Sequence, residues 1–180
     1  YGILIAIILG FAILSIYFYS TKIVDSGLGE FFVGVKGSMI VIGTFFIQSG
    51  EVNFESILAG VVVGTLSSLV LFIASFPDHD ADKSKGRKTL VIVVGKEKAR
   101  KIFWVFPLIV YSVILIGVSV NLFPLLSLIC FLGFPLMIKS GLGLQKNYTC
   151  VDDLVPYMSS TLKFSRFTGV LFVMSFLIPV

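Results

Sequence analysis

Six apolar stretches, each close to 20 residues long, constrain what this chain can become more than any other feature. They run over residues 1–19, 30–49, 54–76, 102–120, 122–139 and 164–180. A helix needs about 20 such residues to cross the hydrocarbon of a bilayer, and a soluble core has no use for 57% hydrophobic and only 13% charged residues. The lengths exclude ordinary strands, and the period-2 alternation of an outer-membrane barrel is absent. The expected fold is therefore all-α: a polytopic bundle of transmembrane helices forming a single domain over residues 1–180. Tyr1 leads straight into an apolar stretch with neither a basic leader region nor a small-residue cleavage site, so the chain reads as a fragment. In the third stretch, Gly60, Gly64, Ser67 and Ser68 recur at spacings of three or four, a small-residue stripe that lets a neighbouring helix approach closely.

Charge is concentrated. Of the 24 Asp, Glu, Lys and Arg residues, 12 fall between positions 78 and 101, and such a cluster must sit in water or line a polar cavity. The basic residues group after the first, third and fifth stretches, whereas connections 49–53 and 120–123 contain none. By the positive-inside rule the basic loops, including a charged loop over 77–101, are expected on the cytoplasmic side of the membrane. The net charge of +4 then reports orientation, and a nucleic-acid partner is not expected.

Within the cluster, Asp78 and Asp82 are four apart. If the third helix continues past Pro77, they project from one face with Cβ atoms about 6 Å apart, and Asp80 points away. Like charges so placed repel unless a cation joins them, and a hard divalent ion held by carboxylates and substrate phosphate oxygens suits the pair. This suggests Mg²⁺ bridging to a phosphorylated ligand, with Lys83, Lys85, Arg87 and Lys88 as donors to phosphate oxygens. The competing reading is a solvated, salt-bridged loop whose charges only set topology.

The pattern Asp78, Asp82, Gly86-Arg87-Lys88-Thr89-Leu90, followed by Val94-Gly95-Lys96-Glu97-Lys98-Ala99-Arg100, resembles the second aspartate-rich motif of the UbiA superfamily of intramembrane prenyltransferases. Upstream, Gly27-Leu28-Gly29-Glu30 and the segment from Gly43 to Gly50 resemble its menaquinone branch, the 1,4-dihydroxy-2-naphthoate prenyltransferases. The resemblance implies a nine-helix bundle whose two aspartate-rich motifs hold Mg²⁺ on the diphosphate of a polyprenyl donor. This chain would supply spans four to nine, the C-terminal two-thirds, because the first motif has no counterpart here. The implied activity is transfer of the polyprenyl group to an aromatic acceptor in lipoquinone synthesis, with 4-hydroxybenzoate, haem, chlorophyllide or a glycerol phosphate ether as other acceptors within the family.

Residue by residue, Asp78 and Asp82 match the metal ligands of the motif, and Arg87 and Lys88 match its basic positions. Thr89 fits a helix start as well as a ligand. Lys36, inside the second stretch, is expected to contact the diphosphate, with Gly34 and Gly37 leaving room for ligand beside it; the alternative is snorkelling to the interface. Tyr19 and Lys22 resemble the family's tyrosine-to-lysine segment, with Ser26 where that branch carries a basic residue. Tyr19 would steady a carbocation through its ring face or anchor the helix at the interface, and Lys22 would bind diphosphate. Gln48 and Asn53 are expected in helix–helix hydrogen bonds, His79 as a solvated residue, and Asp152 and Asp153 before the last helix at the positive end of its dipole. A membrane transporter is the alternative from another class, although no inverted repeat supports it.

Overall fold

The computed structural model describes residues 27–178 and, ahead of them, positions 2, 3, 6, 7, 9, 10, 13 and 14. Tyr19, Lys22 and much of the expected span 1–19 lie outside the described residues. Every regular element among the described residues is helical. Helices α1 (Gly29–Ser49) and α2 (Phe54–Ala74) form a tight antiparallel hairpin. Gly50 closes α1 in the left-handed region at φ 80°, its N–H donating to Phe46 O. Asn53 then opens α2, its side-chain oxygen accepting from Ser56 N–H at 2.8 Å. Asn53 is thus a cap and not the interhelical cross-link expected of it.

The small-residue stripe of α2 meets a matching stripe on α1. A Cβ added to Gly64 would stand 2.2 Å from Gly34 O, and one on Gly60 would stand 2.9 Å from Ser38 O. Ser38 Oγ donates across the seam to Gly60 O at 2.9 Å. Two backbones this close leave no room for side chains between them.

After α2 come three short helices, α3 (His79–Ser84), α4 (Leu90–Val94) and α5 (Lys96–Ile102). The expected charged loop 77–101 is therefore folded. Helix α5 runs almost directly into α6 (Val105–Ser119), so the fourth apolar span extends over Lys96–Ser119 and begins before residue 102. A 3₁₀ segment, Leu125–Gly133, leads into α7 (Phe134–Asn147), which carries Lys139 and Lys146 on the helix and not in a following loop. The last helix, α8 (Val151–Leu177), starts well before the expected residue 164 and holds Lys163 and Arg166 on exposed positions. Asp152 and Asp153 lie in its first turn, where negative charge suits the helix dipole.

Four of these units, Gly29–Ser49, Phe54–Ala74, Lys96–Ser119 and Leu125–Asn147, are long and apolar enough to cross a membrane. Helix α2 packs against α1, α6 and α8. Phe72, Phe76, Phe103 and Phe164 fill the centre, while Ile40, Leu108 and Val170 are exposed on the outside, as a hydrocarbon environment allows.

Candidate active site

Pro77 has no N–H to donate, so the hydrogen-bond ladder of α2 cannot pass through it. The helix ends at Ala74, so the condition of a helix running on past Pro77 is not met, and the chain restarts as α3 with Asp78 at its N-cap position. The new helix restores the one-turn relation of the two carboxylates: Asp82 N–H donates to Asp78 O at 2.8 Å. Asp78 and Asp82 line the same cavity of about 200 Å³. Asp80 points away, its side chain 85% exposed, and meets His79 Nδ1 at 2.7 Å and Lys96 Nζ at 3.8 Å. These two neighbours, His79 first, hold the Asp80 carboxyl below the usual carboxylate range. His79 is largely covered, with 14% of its side chain exposed, and so is not the solvated residue expected.

Gly86, at φ +75°, turns the chain back. Arg87 returns to Asp82 twice, its backbone N–H donating to Asp82 O at 3.0 Å and Nη1 standing 3.1 Å from Oδ1. Thr89 then caps α4, with Oγ1 accepting from Ile92 N–H at 3.3 Å, and also lines the cavity. Thr89 therefore combines the helix-start role with a place in the site.

A residue to which the sequence reading gave no role completes this wall. Glu30, in the first turn of α1, is only 3% exposed. Its carboxylate accepts from Leu90 N–H at 3.3 Å to each oxygen and from Ser75 Oγ at 3.4 Å, while its carbonyl accepts from Ser68 Oγ. The available signal was an acidic residue opening an apolar span, which is costly without a purpose. Glu30 also lines a second cavity of about 450 Å³, mainly apolar, walled by Phe31, Val35, Met39, Val61 and Phe106. A polar chamber and an apolar one thus share a wall.

Lys36 is half-buried on α1 and lines neither chamber; Lys88 is exposed and lines neither. The room expected beside Gly37 is filled by α2, since a Cβ there would stand 2.9 Å from Gly64 Cα. Among the described residues no group of three or more His, Cys, Asp or Glu side chains is placed to hold a metal alone. Two carboxylates one turn apart fit Mg²⁺, which typically takes one or two carboxylates, substrate phosphate oxygens and water.

The family model described as the UbiA prenyltransferase family matches residues 1–150. The chain is 29% identical over 160 residues to the 1,4-dihydroxy-2-naphthoate octaprenyltransferase of Bacillus subtilis, covering 83% of this chain and 48% of that protein. It is 30% identical over 152 residues to the protein of the same name from Escherichia coli, covering 82% and 48%. The chain spans about half the length of the curated relatives it matches. No solved structure matches it. Its helical, membrane-spanning architecture and the match over most of its length place the chain in the UbiA prenyltransferase family.

Proposed function

We propose that the protein to which this chain belongs transfers a polyprenyl group from its diphosphate to an aromatic acceptor, 1,4-dihydroxy-2-naphthoate as in the names of its relatives. The observation that carries this reading is the pair of adjoining chambers. One is lined by Asp78, Asp82 and Arg87 and suits a diphosphate; the other is apolar and suits an isoprenoid chain. Mg²⁺ on Asp78 and Asp82 would supply positive charge to the diphosphate as it departs. Arg87 donates hydrogen bonds to phosphate oxygens, exchanging part of its pairing with Asp82 for the ligand. Phe31, Val35 and Met39 keep water from the reacting end, which strengthens every charge interaction there. Lys88 and Lys22 are further candidates for the diphosphate, and Tyr19 for the developing cation, on the resemblance; Lys36 is a candidate only through its place as an ionisable residue inside an apolar span. The charged segment 77–101 is read as the cytoplasmic face of a single transmembrane domain, from the distribution of Lys and Arg.

The test is to incubate the purified full-length protein with a polyprenyl diphosphate and 1,4-dihydroxy-2-naphthoate, with Mg²⁺ present and then chelated. Prenylated naphthoquinol precursor only with Mg²⁺ is the expected result. Product with 4-hydroxybenzoate alone would move the assignment to another acceptor. No product and no donor binding under either condition would overturn the reading.

A further inference from the structure

Glu30 is the residue that both chamber walls have in common. In the transfer reading, on which this inference rests, the diphosphate occupies the polar chamber and the prenyl chain the apolar one. The carbon that joins them, C1 of the donor, must then lie at the boundary, beside Glu30. The carboxylate there is 3% exposed, and its contacts are neutral donors at 3.3–3.4 Å. Among the described residues no Lys or Arg pairs with it. Burying a carboxylate with only neutral donors and the N-terminal end of α1 to compensate it is costly, and the cost has a use if positive charge arises next to it during reaction.

We propose that Glu30 is a catalytic residue whose carboxylate stabilises the allylic cation formed at C1 of the donor. The C1–O bond breaks and its electron pair leaves with the diphosphate. A π pair of the acceptor ring then forms the new C–C bond at C1, and the ring sheds a proton, or carbon dioxide where the attacked carbon carries a carboxylate. A fixed negative charge at the boundary repels the anionic donor in the ground state and attracts the cation in the transition state. Such a contact raises kcat without tightening donor binding.

The experiment measures kcat and donor KM for the full-length protein in wild-type form and as Glu30→Gln and Glu30→Asp. Gln keeps the shape and an oxygen to accept Leu90 N–H, so the loop carrying Arg87 keeps its anchor. Glu30→Gln is expected to lower kcat on the order of 100-fold, the effect of removing one preorganised electrostatic contact, with donor KM unchanged or lower. Glu30→Asp is expected to recover part of the rate. Turnover by Glu30→Gln within threefold of wild type would overturn the proposal. So would a parallel loss of kcat and donor affinity in both variants, which would make Glu30 only an anchor for the loop. Failure of the wild-type protein to transfer any prenyl group would instead sink the transfer reading itself.

Discussion

Asp78 and Asp82 have separate supports, which makes their removal informative. Asp78 makes no side-chain cap bond, and Asp82 is paired with a half-exposed Arg87, a type of contact worth about 1 kcal/mol or less. Asp78→Asn and Asp82→Asn are therefore expected to leave the thermal unfolding temperature in detergent near that of wild type while lowering prenyl transfer at least about 100-fold. Retained turnover in both variants would return the pair to a solvated loop. The spacing of these residues was readable in the chain because a separation of four means one helical turn wherever a helix forms. Glu30 was not readable as their neighbour. It is 48 residues from Asp78 in sequence, and only the folding of α1 onto the end of α2 brings the two to one chamber. Lys36 shows the converse: an ionisable residue in an apolar span attracts a functional reading, yet its helix presents other positions to the chambers.

The α1–α2 hairpin holds one wall of both chambers, and its seam is made of glycines and serines. Gly64→Ala places a methyl group against backbone, with Gly34 O 2.2 Å from the new Cβ. Backbone cannot rotate aside as a side chain can, so the substitution is expected to cost about 1–3 kcal/mol, seen as a lowered unfolding temperature in detergent and a loss of donor binding through the displaced wall. Wild-type stability in this variant would show that α1 and α2 shift apart at no cost. The stripe on α2 was visible as a spacing, whereas its partner, Gly34 and Ser38, depended on the antiparallel register that pairs 34 with 64 and 38 with 60. The short helices α3 to α5 escaped the hydropathy pattern because a helix of five to seven residues leaves almost no periodicity.

Across the bundle, the charged segment is tied to the end of a distant helix. Arg100 Nη1 donates to Gln145 O at 2.6 Å, Gln145 Nε2 donates to Arg100 O at 2.9 Å, and the guanidinium lies 4.5 Å from the centre of the Tyr148 ring. These contacts put the connection between α7 and α8, with exposed Cys150, at the same end of the molecule as the aspartate pair; Cys130 is buried. A membrane-impermeant maleimide should label Cys150 in inside-out vesicles and leave it unlabelled in right-side-out vesicles or intact cells. The reverse pattern would invert the orientation drawn from the distribution of Lys and Arg.

Membrane class, helical fold, the approximate positions of four of the six expected spans and the one-turn separation of the two aspartates followed from the order of residues. Each depends on local quantities, namely the length of an apolar run and the separation of two side chains along one helix. Helix ends followed less well. The α2 helix stops at Ala74 because Pro77 breaks its ladder, and α8 begins at Val151 although charge is scattered along it. The polar chamber, its apolar neighbour and the carboxylate of Glu30 between them required folding to be seen. They are spaces and contacts between helices far apart in the chain, and their shape depends on register and close packing that no single stretch encodes.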